Sequence, residues 1–318
     1  MRILSKENCF KGIYTALATP FTSEGAIDRD AWEGLLTAQL KAGVHGVVPC
    51  GTTGESPTLS NEEKLVLIRS AVKACAPTKG KTAVIAGTGT NDTRETCELT
   101  AQISELGVDA CLVVTPYYNK PSQAGLERHF QFVADASKVP IILYNVPGRT
   151  GVSLAPATVA KLAMHPNIAG IKEASGDLNL FMRMRAAVRQ ETKRAFYFLS
   201  GDDPTFWPFL AMGGDGMISV ASNVVPGCMR MIFENWNEGR TGAGFALFEK
   251  LHPLLRNLFI EANPVPLKQI LSYIGKTASI VRPPLAPLSP ENAAKLKAVW
   301  DALLPHLKED RPREELRV

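Results

Sequence analysis

A chain of 318 residues, 45% hydrophobic and 21% charged, is long enough to bury a large core as one barrel-sized domain or two smaller ones. Its formal net charge of +4 is mild, with basic and acidic residues interspersed and no aromatic-basic platform, which argues against nucleic-acid binding. No run of about 18 uncharged apolar residues and no secretory pattern at the N-terminus is present, and none of the six cysteines (Cys9, Cys50, Cys75, Cys97, Cys111, Cys228) forms a C-x-x-C pair, so the expectation is a cytoplasmic protein away from the membrane with free thiols.

Along the chain, short apolar runs alternate with longer segments of helical periodicity. Strands are expected at 14–18, 46–50, 83–87, 110–115, 140–144, 168–172, 196–200 and 216–220. Between them, 28–43, 61–76, 92–107 and 122–137 carry apolar residues at three- and four-residue spacing, with acidic or hydroxyl residues near their starts. Strict alternation of this kind makes a parallel sheet, and eight successive units make a closed (β/α)8 TIM barrel. The interval 201–215 leaves room only for a short helix. Beyond the eighth strand the pattern is purely helical. The expected organisation is therefore an N-terminal extension (1–11), the barrel (12–225), a C-terminal helical extension (226–306) and a charged, solvated tail (307–318). An open doubly wound sheet uses the same alternation, but the first turn, Thr19-Pro-Phe-Thr-Ser-Glu-Gly25, has no G-x-G-x-x-G. The second turn, Gly51-Thr-Thr-Gly-Glu-Ser56, lacks the lysine of a phosphate-binding loop.

The residue with the fewest ordinary reasons for its place is Lys172, at the end of the sixth apolar run. A strand buried on both faces rarely holds a lysine without a partner or a task, although a strand-end lysine can also snorkel to solvent. Low dielectric favours a neutral amine, which is a nucleophile that forms imines with carbonyl compounds. Barrel chemistry sits at the C-terminal ends of strands. There the sequence places Thr52 and Thr53, Tyr117 and Tyr118, Tyr144 and Arg149, Lys172 and Glu173, and Ser200-Gly201-Asp202-Asp203. The arginine offers a planar fork for a carboxylate, and hydroxyls in a chain can pass protons. Singly, such tyrosines can merely anchor a rim and a Thr-Thr-Gly can merely shape a turn. The five histidines are scattered (His45, His129, His165, His252, His306), which disfavours a metal-dependent aldolase.

The set Gly51-Thr-Thr-Gly-Glu-Ser56, Val114-Thr-Pro-Tyr-Tyr-Asn119, Tyr144-Asn-Val-Pro-Gly-Arg-Thr-Gly151, Gly170-Ile-Lys-Glu-Ala174 and Ser200-Gly-Asp-Asp203, with Glu261-Ala-Asn-Pro-Val-Pro-Leu-Lys268 in the helical extension, closely resembles the dihydrodipicolinate synthase family of lysine biosynthesis. The likeness runs from about residue 12 to about residue 304. The wider group includes N-acetylneuraminate lyase and keto-sugar-acid aldolases and dehydratases, all working through a lysine imine. Arg149 is the residue that points to the synthases. A barrel that only binds a 2-oxo acid is the non-catalytic alternative.

The resemblance implies condensation of pyruvate with L-aspartate 4-semialdehyde, no cofactor and no metal. It implies Lys172 as the imine-forming residue, a proton relay of Tyr144, Thr52 and Tyr118, and pyruvate held by Thr53 with Ile218 and Gly201 beside it. Arg149 would hold the semialdehyde carboxylate and steady Tyr118, which in this family reaches into a neighbouring subunit's site. A homotetramer built as a dimer of dimers is expected on the same ground.

Lysine-inhibited members bind the end product in a cleft matched here by Ser56, Asn91, Glu95 and Tyr117. Where sensitive members commonly carry histidines, this chain has Asn61 and Lys64. A second ammonium in such a cleft opposes a cationic ligand, so weak inhibition by L-lysine is expected unless Lys64 points to solvent.

Overall fold

The computed structural model describes residues 10–78 and 80–309. In it the apolar runs become eight parallel strands in chain order, closed by pairing of the first with the last. The strands are β1 Gly12–Ala16, β2 Gly46–Val48, β3 Ala83–Gly87, β4 Ala110–Val114, β5 Ile141–Asn145, β6 Ile168–Glu173, β7 Tyr197–Ser200 and β8 Gly216–Ser219. The crossovers are α1 Arg29–Ala42, α2 Asn61–Cys75, α3 Thr93–Ser104, α4 Gln123–Ala136, a single turn α5 Pro147–Thr150 followed by α6 Pro156–Ala163, α7 Leu178–Glu191 and the short α8 Phe206–Ala211. After β8 come α9 Pro226–Asn237, α10 Thr241–Asn257, α11 Val265–Tyr273 and α12 Pro290–Glu309. A closed barrel removes the open-sheet alternative. Residues 1–9 of the expected N-terminal extension and 310–318 of the expected tail lie outside the described residues.

The helices begin where the sequence offers a side-chain oxygen to the first free amides. Asp28, Ser60, Asp92, Ser122 and Asp177 each accept from a backbone N–H in the first turn of the helix that follows, and Ser60 with Glu63 forms a reciprocal capping box. Losing one such cap costs about 1 kcal/mol. Strand ends differ from the expected ones by one or two residues in all but β3, and two of the differences have backbone reasons. The second strand stops at Val48 because Cys50 turns left-handed, with φ 57°, and cannot continue the ladder. The first begins at Gly12, ahead of the apolar run, because β1 meets β8 there through two glycines. A side chain on Gly216 would collide with the Gly12 backbone.

Alternation along the strands sorts two cores. Tyr14, Ala16, Val48, Ile85, Leu112, Ile142, Tyr144, Leu199 and Ile218 fill the barrel interior as one cluster. Their neighbours Val47, Val84, Cys111, Ile141, Leu143, Ile171 and Phe198 pack outward against the helices. Lys172 follows outward Ile171 and stands in register with Tyr144 on β5 and Leu199 on β7, both interior. The period of two therefore sends Lys172 into the barrel.

Helix α9 packs on β1 and α1 and so completes the outer ring. A third cluster joins Ile13 and Leu35 to Met229 and Ile232 of α9, Leu251 and Leu254 of α10, Leu267 and Leu271 of α11, and Leu296 and Trp300 of α12. The terminal helices thus continue the barrel's apolar packing, and a Leu→Ala change in this layer costs roughly 2–5 kcal/mol. No helix among the described residues is long and apolar enough to cross a membrane.

Candidate active site

At the C-terminal end of the barrel, Lys172 is 6% exposed and its Nζ lies 4.2 Å from the centre of the Tyr144 ring. The stem has a groove to lie in because residue 201 is glycine: a Cβ there would stand 2.7 Å from Lys172 Cε and 2.6 Å from Ala174 Cβ. Tyr144 reaches the other way with its hydroxyl, which lies 3.5 Å from Thr52 Oγ1. Tyr144 therefore touches both the Lys172 amine, through its ring, and Thr52, through its hydroxyl. Ile218 is fully buried in the interior cluster below them.

The outward-facing neighbours of this pair hold the strand ends together. Asn145 and Glu173 are register partners, and Asn145 Nδ2 donates to Glu173 Oε2 at 2.7 Å. The backbone N–H of Ser175 donates to Glu173 Oε1 at 2.6 Å, and that of Leu154 to Asn145 Oδ1 at 2.9 Å. Burial pushes the Glu173 carboxyl above the usual carboxylate range, with these donors pulling the other way. The buried bond locks the alternation that aims Tyr144 and Lys172 inward.

The loop that carries Thr52 and Thr53 is strained and tied down. Cys50 and Glu55 both take positive φ, 57° and 54°. Thr19 Oγ1 donates to the Gly54 carbonyl at 2.8 Å. Glu55 is ion-paired with Lys268 from α11, a lysine with no solvent exposure whose Nζ also donates to the Ile280 carbonyl at 2.7 Å. Burial lowers the Lys268 pKa to about 8 against the opposing pull of Glu55. The backbone N–H of Arg282 donates to Glu55 Oε2 at 2.9 Å, while its guanidinium forks onto Glu63 at 2.8 and 2.5 Å. Asn263 completes the clamp, with Nδ2 donating to Thr53 Oγ1 at 3.0 Å. Arg149, exposed on α5, donates from Nη2 to the Asn263 carbonyl at 3.1 Å.

A cavity of about 270 Å³ opens beside these groups, lined by Thr52, Tyr144, Arg149, Ser56, Lys64 and Tyr117 among others. Lys172 is not on its wall; it sits against the Tyr144 ring instead. Lys64 is only 7% exposed, so its side chain does not point to solvent. Of the other regulatory candidates, Asn61 and Glu95 are exposed, at the starts of α2 and α3, and the Asn91 carbonyl accepts from Asn119 Nδ2. Tyr118 stands apart. It is 89% exposed with φ 75°, and within one chain it does not join Tyr144 and Thr52. No group of three or more His, Cys, Asp or Glu among the described residues is placed to hold a metal ion.

Lys172, Tyr144, Thr52, Thr53, Gly201 and Arg149, expected at the strand ends, stand at one end of the barrel, with Ile218, which the resemblance implies, in the interior cluster and Tyr118 outside the pocket. Sequence reasoning missed Asn145, Asn263 and the Lys268–Glu55 pair as supports. A signal existed for Lys268, a lysine inside the apolar run Val265-Pro-Leu-Lys-Gln-Ile-Leu271. Asn263 stands in the segment Glu261-Ala-Asn-Pro-Val-Pro-Leu-Lys268, whose likeness to the family marked it without giving it a role.

The model of the dihydrodipicolinate synthetase family matches residues 9–303. The 4-hydroxy-tetrahydrodipicolinate synthase of Bacillus velezensis is 45% identical over 291 residues, covering 92% of this chain and 98% of its own. That of Thermodesulfovibrio yellowstonii is 46% identical over 290 residues, covering 91% and 97%. Among solved structures, the 4-hydroxy-tetrahydrodipicolinate synthase of Methylacidiphilum fumariolicum superposes with a TM-score of 0.89 at 42% identity, over 94% of this chain and 99% of that one. With a family match across the barrel and the terminal helices alike, and relatives matched over nearly their full lengths, this chain belongs to the dihydrodipicolinate synthetase family.

Proposed function

We propose that this protein is a lyase that condenses pyruvate with L-aspartate 4-semialdehyde through an imine on Lys172, giving 4-hydroxy-tetrahydrodipicolinate for diaminopimelate and lysine synthesis. The observation that carries the reading is the position of Lys172: an amine 6% exposed, aimed into the barrel and 4.2 Å from the Tyr144 ring, in a chain of this family. The names of the relatives favour the synthase over a sugar-acid lyase, and Arg149 at the mouth favours a carboxylate-bearing aldehyde.

The Lys172 amine attacks C2 of pyruvate, and loss of water leaves the imine. Removal of a methyl proton gives the enamine, whose carbon adds to the aldehyde carbon of the semialdehyde. The semialdehyde's amino group then attacks the imine carbon, closes the ring and releases Lys172. Tyr144 suits the proton transfers because its ring packs on the Lys172 amine and its hydroxyl lies 3.5 Å from Thr52 Oγ1. Thr53, oriented by Asn263, is the pyruvate-carboxylate contact, with Gly201 and Ile218 walling the pocket. Arg149 takes the second carboxylate. The exposure of Tyr118 supports its extending to a second copy of the chain, whose relay it would complete; a dimer of dimers supplies that contact twice over.

The test is reductive trapping. Incubation with pyruvate and borohydride should leave a stable adduct, which mass spectrometry of the digested protein should locate on Lys172. An unmodified Lys172, or an adduct on another lysine, would refute the reading.

A further inference from the structure

β7 and β8 share two register pairs, Leu199 with Gly216 and Ser200 with Met217, so their ladder ends before the last residues of β8. Ile218 and Ser219 pair on their other side, with Tyr14 and Thr15 of β1. A carboxylate takes over where the ladder stops. Asp203, in the turn Asp203–Thr205 that follows β7, has no solvent exposure. Its Oδ1 accepts from Ser219 Oγ and from the Ala221 N–H at 3.3 Å, and its Oδ2 accepts from the Val220 N–H at 2.9 Å. Burial raises its pKa to about 6 while these donors pull the other way, so in neutral solution it is the acceptor-only carboxylate that they require. The join continues to β1. Ser219 Oγ accepts from the Ser222 N–H at 3.0 Å, Asn223 Nδ2 donates to the Ala16 carbonyl at 2.8 Å, and Asn223 Oδ1 accepts from the Ala18 N–H at 3.2 Å. The ends of β7, β8 and β1 are thus tied by buried side chains.

We propose that Asp203 is a positioning residue for the chemistry at Lys172, setting the spacing of the β7 and β8 ends and with it the width of the slot between Gly201 and Ile218. Both walls adjoin the anchor: Gly201 precedes Asp203 by two residues, and Ile218 precedes Ser219 by one. The Gly201 N–H donates to the Glu173 carbonyl at 2.7 Å, and the space that a Cβ would need there holds the Lys172 stem. Drift of the β8 end therefore moves Ile218 relative to the amine, and a misplacement of about 1 Å is enough to slow a reaction that depends on orientation. Asp203 does not itself meet the substrate, since both of its oxygens are taken by donors of β8 and the turn after it. The role rests on the proposed function, which puts pyruvate in this slot. It is a clamp separate from the one by which Asn263 holds Thr53.

Asp203→Asn and Ser219→Ala, made in the full chain, are the test. Asparagine keeps the shape but turns an NH2 group toward donors, and alanine at 219 removes one donor. Two quantities are read: the pyruvate concentration that gives half-maximal borohydride labelling of Lys172, and the KM for pyruvate. Both should rise about tenfold in Asp203→Asn and roughly threefold in Ser219→Ala, as expected when a hydrogen bond to a charged group is lost or weakened. The KM for the semialdehyde and kcat should stay within about threefold of native. Leu296→Ala, which loosens the terminal helical layer, controls for stability alone: its Tm should fall with the pyruvate requirement unchanged. An unchanged pyruvate requirement in the folded variants, equal rises for both substrates, or the same rise in Leu296→Ala overturns the proposal. Circular dichroism checks folding, and if Asp203→Asn does not fold, Ser219→Ala decides alone. Failure of pyruvate and borohydride to label Lys172 in the native protein is a different result, which sinks the proposed function and this role with it.

Discussion

Asn263 holds Thr53 by a hydrogen bond that spans 210 positions of sequence, from the segment ahead of α11 to the loop after β2. Its carbonyl meanwhile accepts from Arg149, so one residue of the terminal helical region touches both groups assigned to substrate carboxylates. The two contacts use different atoms and can be separated. Asn263→Ala removes the side-chain bond to Thr53 and spares the carbonyl under Arg149. One hydrogen bond of about 1 kcal/mol corresponds to roughly a fivefold effect. The KM for pyruvate should rise by about that factor, with little change in the KM for the semialdehyde. Equal rises in both would mean that the substitution disturbs the loop as a whole.

Lys172→Ala should abolish both the borohydride adduct and the condensation, because Lys172 is the amine set against Tyr144 inside the barrel. The fold should survive, since the change removes an amine that is costly to bury. Near-normal turnover in this variant would end the imine mechanism.

The architecture and the reacting residues were legible because each leaves a local mark. Short apolar runs, capping residues such as Asp28 and Ser60, and a lysine closing a buried strand are all visible within a few residues of sequence. The supports were not, because they exist only after closure. Asn145 meets Glu173 through the register of β5 on β6, and Lys268 meets Glu55 when α11 packs over the β2 loop. Tyr118 marks a different limit. Its place beside Tyr144 in the expected relay is not filled within one chain, since 89% exposure leaves it outside the pocket.

Arg149→Ala separates the two substrates. Trapping of pyruvate on Lys172 should persist, because Arg149 lies on α5 and only its carbonyl partner Asn263 touches Thr53. Condensation should fall by about two orders of magnitude or more, as expected when a positioning clamp on a carboxylate is lost. If trapping and condensation drop together, Arg149 serves the fold or pyruvate rather than the aldehyde.

His129, buried on α4 with Nδ1 2.9 Å from Thr93 Oγ1, gives a stability signal in acid. Burial lowers its pKa from 6.5 to about 4, with Asp92 opposing. As pH falls below 6.5 the unfolded chain takes up a proton that the folded one refuses until about pH 4, so this residue's contribution to stability is lost as pH falls through that window. The full effect is on the order of 3 kcal/mol. Thermal melts of His129→Leu should therefore decline less steeply than those of the native protein between these limits. Parallel curves would show that the imidazole is not held neutral.

Regulation by the end product turns on the charges that line the cavity. Ser56, Lys64 and Tyr117 line one cavity, and Lys64 faces into it rather than to solvent. L-Lysine brings one carboxylate, which Lys64 can meet, but also two ammonium groups, which enter a wall already carrying Lys64 and Arg149 and no acid. Like charges a few ångströms apart at a partly buried site cost on the order of 1 kcal/mol or more each. Inhibition by L-lysine should accordingly be weak or absent in steady-state assays, and Lys64→His, which replaces the amine with an imidazole, should confer sensitivity. Half-inhibition of the native enzyme at sub-millimolar L-lysine would show that the Lys64 ammonium does not oppose the ligand, and insensitivity persisting in Lys64→His would assign the difference to another position such as Asn61.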